Sequence, residues 1–342
     1  MQHEITQAIP LLDEQGELTQ PGWARRLLPV YDRSKVRGGP LRLKERDCYL
    51  VMNRQCALAL TISDNRYMGM DSISLIDLWE GWQVTRSPMR LMPLGGTGLP
   101  QSSLRGSCAR AGRGYGLLFQ HEGEGRTLHA HMDRFRDGQA LDAQILLTQE
   151  PEESIVMCTP FEKPGQFYFN QKINCMRAQG KVTLGDREYV FDPEDSFAVL
   201  DWGRGVWTCR GTWYWGSASG MVDGVPFGFN IGYGFGDPSA ATENALFYGG
   251  KLHKLSQVTF HIPRKNGREH YLAPWTFDSD DRRFRMKFRP ILDRAACPSA
   301  GVVRSGQHQV FGSFTGTAVL DDGTAVRLKE LLGFAEKVDD RW

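Results

Sequence analysis

The residues best suited to chemistry lie in one block of the chain, between Phe191 and Lys254. Asp201-Trp202-Gly203-Arg204-Gly205 places a carboxylate, an indole and a guanidinium among glycines, and Thr242-Glu243-Asn244 follows later. A pair of carboxyl groups can act as acid and base when burial raises the pKa of one and a cation lowers the pKa of the other. The candidate catalytic residues are Asp201, Glu243 and Asp237.

Each of these carboxylates also has a structural interpretation. Asp201 and Arg204 could form an ion pair that closes one end of a barrel, and this alternative stays open. Asp237 precedes Pro238-Ser239, which is typical of a turn or cap. For Glu243 the alternative is local solvation. Asp201 and Glu243 are therefore the acid–base candidates on which we build.

Side chains near these carboxylates could shape a pocket and hold the polar groups of a substrate. Trp213 and Trp215 share one face of a predicted strand, although such tryptophans are more often core residues. A lysine at position 172 that faced inward would need an ionic partner, and His253 could transfer a proton near neutral pH. The candidate substrate-binding residues are Lys172, Trp202, Arg204, Trp215, Asn230, Asn244 and His253.

Other chemistries are disfavoured by the sequence. The glycines of Gly232-Tyr233-Gly234-Phe235-Gly236 alternate along a predicted strand, whereas a dinucleotide site needs glycines between a strand and a helix. His129, His131 and Asp133 share a strand face, but no third histidine stands at a recognisable offset, so an exposed polar face is expected rather than a metal site. We predict no metal and no cofactor.

Composition limits the class of protein. The chain has 342 residues, 41 Lys+Arg against 40 Asp+Glu, and a formal net charge of +1, which argues against a general nucleic-acid binder. The 7 cysteines are scattered without a CxxC pair, and Cys175 and Cys209 carry no signature of an activated thiol. With no basic leader and no long apolar span, the sequence predicts a soluble cytoplasmic protein.

The elements that must position these residues are β-hairpins. Dipeptides that favour type I′ turns separate short runs of β-branched, aromatic or alternating residues. Long helical periodicity is scarce, and we expect only short helical turns near residues 240–245 and 328–332. The hairpin dipeptides are Asp137-Gly138, Gly185-Asp186, Asp223-Gly224, Gly249-Gly250, Asn266-Gly267 and Asp322-Gly323.

Residues 224–236 have an unusual alternation. One predicted strand face is bulky throughout, and the other carries glycine at nearly every position, with Asn230 as its polar group. Glycine weakens a strand, so the bare face indicates either sharp coiling or another group packed against the backbone. Both interpretations stay open.

The chain resembles a bacterial family classified as a domain of unknown function. The similar segments include Asn170-Gln171-Lys172-Ile173-Asn174-Cys175, Asp201-Trp202-Gly203-Arg204-Gly205, Thr242-Glu243-Asn244-Ala245 and the closing Gly333-Phe334-Ala335-Glu336. That family is remotely similar to the tandem lipocalin-like hydroxyneurosporene synthase and AttH-like group. The resemblance implies an all-β fold of two lipocalin-like (calycin-type) antiparallel barrels, with domains predicted at residues 1–160 and 161–342 and the site in the second.

The expected function is that of a small-molecule-binding barrel protein. One hypothesis is a cofactor-independent hydratase, isomerase, cyclase or hydrolase acting on a lipid, isoprenoid or sugar-like substrate, with Arg204 holding an anionic group. The alternative is a non-catalytic carrier of a lipid or isoprenoid. A cavity lined by Asp201 or Glu243 would count against the carrier.

Overall fold

The structure is a computed structural model that describes residues 2–39, 41–123, 125–208, 210–296, 299–300 and 303–341. The regular elements in these ranges are β-strands together with one 3₁₀ turn, Arg33–Lys35. No helix in the described ranges is long and apolar enough to cross a membrane. The all-β prediction is confirmed.

The first sheet packs around a large apolar core. Its strands run in the order β7-β6-β5-β4-β16-β14-β12-β11-β10-β9. In addition, β8 pairs with β6, β13 and β15 pair with β14, and β2 pairs with β13. All of its pairings are antiparallel. Its strands are β2 (Gly22–Ala24), β4 (Lys44–Met52), β5 (Cys56–Asp64), β6 (Met68–Asp77), β7 (Trp82–Arg86), β8 (Met89–Leu91), β9 (Gly106–Gly112), β10 (Tyr115–His121), β11 (Arg126–Arg136), β12 (Gln139–Thr148), β13 (Ile155–Pro160), β14 (Phe167–Leu184), β15 (Arg187–Phe191) and β16 (Phe197–Val206).

The second sheet has its own aromatic core and runs in the order β20-β19-β18-β17-β28-β27-β25-β24-β21, with β26 on β27. Two further pairs, β1 with β3 and β22 with β23, lie outside both sheets. The remaining strands are β1 (Ile9–Pro10), β3 (Pro29–Val30), β17 (Arg210–Val222), β18 (Val225–Tyr233), β19 (Ala245–Tyr248), β20 (Lys251–Lys254), β21 (Val258–His261), β22 (Arg264–Lys265), β23 (Arg268–Glu269), β24 (Trp275–Ser279), β25 (Phe284–Ala296), β26 (Ser299–Ala300), β27 (Val303–Val319) and β28 (Ala325–Arg341).

The chain passes from the first sheet to the second between Val206 and Arg210. β14, β15 and β16 complete the first sheet before this crossing. The family-like segment around Asp201 therefore belongs to the first sheet, and the one around Glu243 to the second.

The hairpin dipeptides sit where the sequence predicts connections. Asp137 and Asp223, each followed by glycine, have φ of 52° and 49°, as a type I′ turn requires. Asp322-Gly323 differs, because only Gly323 has a positive φ and its N–H donates to Leu320 O, which closes a wider turn. The helical turns expected at 240–245 and 328–332 are wrong. The first region is irregular, because Thr242 and Asn244 form hydrogen bonds with residues distant in sequence. The second lies within β28.

A bulge in the 18-residue strand β14 joins the two halves. The register against β16 shifts between Ile173 and Met176, and Cys175 has a φ of 64°. Asn174 Nδ2 there donates to Ser217 Oγ at 2.8 Å and to Phe229 O at 3.1 Å, both in the second sheet. Two apolar clusters also span the contact between the sheets, one including Val199 and Phe334 and another centred on Phe247.

Candidate functional site

The candidate site lies between the two sheets, where a row of polar side chains from each faces the other. Strand register places Ser72, Thr61, Cys48, Asp201 and Lys172 side by side across five strands of the first sheet. Cross-strand partners point to the same face of a sheet. The row therefore presents hydroxyls, a thiol, a carboxylate and an ammonium group towards the second sheet.

The facing row comes from the second sheet. Register aligns Arg294, Gln309, Glu336, Trp215 and Gly232 across β25, β27, β28, β17 and β18. The rows meet where Lys172 Nζ lies 4.2 Å from the Trp215 ring centroid and where Arg294 Nη1 donates to Ser74 Oγ at 3.0 Å. We call the space between the two rows the cleft.

Asp201 is the fixed anion of the cleft and is 1% exposed. One carboxylate oxygen accepts from Lys172 Nζ at 2.6 Å, and the other is paired with the guanidinium of Arg46. Burial alone would raise the pKa of Asp201, but Arg46 and Lys172 outweigh it and hold the pKa below its usual value. Tyr168 donates weakly to the same carboxylate, at 3.4 Å. Asp201 therefore stays ionised.

Glu243 behaves in the opposite way. Burial raises its pKa, and the opposing influences of Lys172 and of the Asn230 amide are too small to cancel this. Asn230 Nδ2 contacts Glu243 Oε2 at 3.3 Å, and Asn230 Oδ1 accepts from Trp215 Nε1 at 2.7 Å. The amide thereby fixes the carboxyl group against the indole that also stacks on Lys172.

The bare glycine face of β18 makes room for this carboxyl group. A Cβ atom on Gly232 would lie 2.5 Å from Glu243 Oε1, and one on Gly228 would lie 2.6 Å from Cys175 Sγ. The opposite face, Phe227, Phe229 and Ile231, is fully buried in the second core. The close-approach interpretation of the glycines is therefore correct at both positions.

Glu336 is a second carboxyl group whose pKa burial raises, opposed most by the Gln307 amide. Its Oε2 accepts from Gln307 Nε2 at 3.1 Å and from Gln309 Nε2 at 3.0 Å. Among the described residues no cation contacts Glu243 or Glu336, whereas Arg46 and Lys172 contact Asp201. The cleft thus holds one carboxylate kept ionised and two carboxyl groups biased towards the neutral form.

Several hydrogen bonds hold the loop that carries Glu243 in place. Lys254 Nζ donates to Thr242 Oγ1 and to Asn244 O, both at 2.9 Å, and burial lowers the pKa of Lys254 to about 7. Gln2 accepts from the Thr242 N–H at 2.7 Å. Asn244 accepts from the Gly232 N–H at 2.7 Å, so this candidate binding residue holds the loop in place.

Aromatic side chains pack at one end of the cleft, and a separate cavity lies beyond the other. At the first end Phe235 packs edge-on against Tyr168, Trp213 and Phe161, with ring centroids 4.9, 5.1 and 5.4 Å apart. The cavity has a volume of about 370 Å³, and its lining mixes apolar side chains, such as Phe334, with charged ones, such as Asp195. None of the described residues of the two rows lines it.

Trp202 and Arg204 lie on the other face of β16, away from the cleft. Residues one or three positions from Asp201 on a strand point to the opposite side. Arg204 Nη1 donates to Asp47 Oδ1 at 2.8 Å inside the first barrel, and Trp202 packs on Phe169 with centroids 5.3 Å apart. The Asp201–Arg204 ion pair is therefore wrong, and these two candidate binding residues have structural partners instead.

Two other sequence candidates also lie outside the cleft. Asp237 is exposed and accepts from the N–H and hydroxyl of Ser239, which is the turn role that the sequence offered as its alternative. His253 stands 3.5 Å from Asp321 at a hairpin end. Asp201, Glu243, Lys172, Trp215 and Asn230 are the candidates that the fold brings together.

Sequence reasoning missed several residues of the cleft. Glu336 was visible within the Gly333-Phe334-Ala335-Glu336 segment that carries the family resemblance. Arg46 and Arg294 have no local signal, because each reaches the cleft through strand pairing with distant segments. Tyr168 lies four positions before Lys172 on β14 and shares its strand face. Lys172 was found from its alternation with Asn170 and Asn174.

Other predicted chemistry has a clear outcome at the described positions. His131 is exposed between Asp133 and Asp142, at 3.1 and 2.7 Å. No group of three or more His, Cys, Asp or Glu side chains arranged for a metal ion occurs in the described ranges. Burial raises the pKa of Cys175 to about 12, as expected for an inert thiol, and Cys209 lies outside the described residues.

Comparison with solved structures identifies the fold. An AttH-like protein from Nitrosomonas europaea matches with a TM-score of 0.52 at 13% identity, covering 90% of this chain and 95% of that one. Kievitone hydratase from Nectria haematococca gives 0.49 at 11% identity, covering 98% and 99%, and CghA bound to Sch210972 gives 0.48 at 12%, covering 97% and 98%. The AttH-like match confirms the tandem lipocalin-like architecture.

Comparison with curated protein sequences finds no match. A family model described as Domain of unknown function (DUF2804) matches residues 2–342, which is nearly the whole chain. The segments that suggested such a family, from Asn170 to Glu336, all lie within this range. The chain belongs to the DUF2804 family.

Proposed function

We propose that the protein is an acid–base enzyme that acts on a small amphipathic molecule in the cleft, as a hydratase, isomerase, cyclase or hydrolase. The observation that carries this proposal is the opposite pKa shift of neighbouring carboxyl groups. Glu243 and Glu336 are biased towards the protonated form, while Asp201 is held ionised. Groups whose surroundings separate their pKa values are suited to act as acid and base.

Glu243 is the proposed general acid. Burial raises its pKa, which favours the protonated form, and Asn230 fixes the carboxyl group by a contact of 3.3 Å. Lys172 lies between Asp201 and the Trp215 ring, so its charge stabilises negative charge that develops on a substrate. Asp201 positions Lys172 and does not itself need to exchange a proton.

The walls of the cleft suggest the class of substrate. Asn170 Oδ1 and Gln309 Oε1 are buried and have no hydrogen-bond partner among the described residues. Such acceptors are available for hydroxyl or amine groups of a ligand. These acceptors favour a substrate that carries hydroxyl or amine groups on a lipid-like, isoprenoid or sugar-like body.

The test is turnover of mixed substrates in deuterated water. Wild-type protein and the Glu243→Gln variant are incubated with panels of unsaturated lipids, isoprenoids and glycosides, and products are followed by mass spectrometry. We expect wild-type protein to give a hydrated, rearranged or cleaved product, with solvent deuterium on carbon for hydration or isomerisation. The variant should lose at least about a hundredfold in rate, the usual contribution of a general acid.

Glu188→Gln is the matched control, because Glu188 pairs with Lys181 on the exposed surface. Its turnover should equal that of wild type. Turnover by Glu243→Gln at the wild-type rate would contradict the proposed role of Glu243. If no member of the panels is converted by wild type while one is retained in stoichiometric amount, the enzyme proposal fails.

A carrier function is the second candidate, favoured by the cavity of about 370 Å³. Native mass spectrometry of the purified protein, followed by denaturing extraction, distinguishes the two. A carrier should release a stoichiometric lipid or isoprenoid and keep its affinity in Glu243→Gln. An enzyme should be empty or hold a substrate that disappears on turnover.

A further inference from the structure

Arg294 is partly buried and differs from three other buried or partly buried arginines of this protein. Arg204, Arg126 and Arg90 each contact a carboxylate within 3.0 Å. Arg294 projects from β25 into the cleft, and among the described residues its guanidinium has one hydrogen-bond partner, Ser74 Oγ at 3.0 Å. A guanidinium has five N–H donors. Most of its capacity to bind an anion is therefore unused.

Hydroxyl groups surround this guanidinium. Ser74 Oγ accepts from both Arg294 and Thr85 Oγ1, at 3.0 and 2.9 Å, so the Ser74 proton is free to be donated. Ser72 and Ser87 form a second hydroxyl pair at 2.8 Å, two residues along the same strands. A cation with neighbouring hydroxyl donors is a chemical environment that favours a carboxylate.

Glu336 does not supply the missing anion. Its Oε2 is engaged by the amides of Gln307 and Gln309, and the structure has no ion pair between Glu336 and Arg294. Burial raises the pKa of Glu336, which favours its neutral form. Burial also lowers the pKa of Arg294, as expected for a cation taken from water without a partner. An incoming anion would relieve this unfavourable burial.

We propose that the cleft binds a carboxylic acid, with its carboxylate held by Arg294 and Ser74. The inference rests on the cleft being the ligand site of the proposed function, and it adds the charge of the ligand. One guanidinium suits a single carboxylate better than a diphosphate.

The test compares ligands that differ only in charge. Binding of decanoate, palmitate and farnesoate to the full chain is measured by tryptophan fluorescence and calorimetry, beside the corresponding alcohols and farnesyl phosphate. We expect the acid to bind at least about tenfold more tightly than its alcohol, the gain of a charge-assisted pair. Arg294→Gln should remove that preference and leave the affinity for the alcohol within about twofold.

Arg289→Gln is the matched control, because Arg289 lies on the same strand with its side chain exposed. It should retain the preference for the acid. Equal binding of acid and alcohol by wild type, an unchanged preference in Arg294→Gln, or no binding by any acid would each overturn the inference. Tighter binding of farnesyl phosphate than of farnesoate would show that the site prefers a phosphate and would overturn the assignment of a carboxylate.

A second measurement does not depend on the choice of ligand. Arg294→Met removes a partly buried cation that no anion contacts among the described residues, so its melting temperature should equal or exceed that of wild type. A fall of several degrees would assign Arg294 a structural role and overturn the inference. Binding of acids without turnover would leave this inference intact while contradicting the proposed enzyme.

Discussion

Two groups of buried charges lie on opposite faces of the same strand, β16, and they are built differently. Inside the first barrel Arg204 contacts Asp47 at 2.8 Å, and Arg33 contacts Glu45 at 3.0 Å. In the cleft only Asp201 is paired in this way. Glu243 and Glu336 have amides where the barrel carboxylates have guanidinium groups.

The two groups of charges differ in what stabilises their ionised form. In the barrel a guanidinium does so, although burial still raises the pKa of Asp47 beside Arg204. A buried carboxyl group beside amides lacks that cation and can gain or lose a proton with small changes in its neighbours. We therefore propose the cleft, whose glutamates have amides as partners, as the reactive region.

The largest expected effect is loss of a barrel cation. Arg204→Met would leave Asp47 buried without its guanidinium, at a cost of roughly 3–5 kcal/mol in the free energy of unfolding. Chemical denaturation at neutral pH measures this. Arg210→Met, a change on the exposed side of the chain, should fall within about 0.5 kcal/mol of wild type. A cost below about 1 kcal/mol for Arg204→Met would contradict the comparison.

A smaller effect is expected from Lys172→Met. Asp201 would keep Arg46 but lose its 2.6 Å contact, so the cost should be about 3 kcal/mol. The Asp201 pKa should rise towards its ordinary value. The depressed pKa of Asp201 stabilises the folded state above pH 3.8, the pKa of the unfolded chain, and this stabilisation is lost as the pH falls through the folded pKa. The variant has less of this stabilisation, so it should lose less stability than wild type on acidification. Denaturation at neutral and acidic pH checks both points.

Gly232→Ala tests whether space for Glu243 matters. The added methyl would lie 2.5 Å from Glu243 Oε1 and 2.8 Å from Tyr214 O, and overpacking of this kind costs about 1–3 kcal/mol. Gly211→Ala on neighbouring β17 is the control, since a Cβ there has nothing within 4 Å. Equal melting temperatures for the two variants would show that the carboxyl group is not confined by the bare glycine face.

The smallest effect belongs to the carboxyl groups of the cleft. Glu243→Gln should change stability near pH 4 by no more than about 1 kcal/mol, because the amide replaces a neutral carboxyl group. The raised pKa of Glu243 stabilises the folded state below pH 4.5, the pKa of the unfolded chain. This stabilisation is lost as the pH rises through the folded pKa. The variant should therefore be more stable than wild type at high pH. Parallel stability curves across pH would show that the Glu243 pKa is not raised.

Local pattern predicted much of the fold but only part of the cleft. Turn dipeptides such as Asp223-Gly224 need positive φ and therefore mark hairpins directly in the sequence. The glycines opposite Phe229 indicated a close approach, yet not that Glu243 makes it. Strand alternation alone places Asp201 and Arg204 on opposite faces, since residues three positions apart on a strand point to opposite sides.

The remaining residues could not be predicted for a physical reason. Arg46 and Arg294 reach Asp201 and Ser74 from segments 155 and 220 residues away in sequence. Such contacts depend on how two sheets dock, and no short-range pattern encodes that. The crossing from one sheet to the other after Val206 has no local signal either, because β14 pairs with strands that precede it and strands that follow it in the chain.

The bulge in β14 has a consequence for motion. Asn174 and the Cys175 N–H bond to Ser217, Phe229 and Ser219 of the other half, so rotation of one barrel against the other would break buried hydrogen bonds. We therefore expect ligands to enter by rearrangement of side chains rather than by hinge opening. The same bonds should make both barrels unfold together, as one cooperative transition.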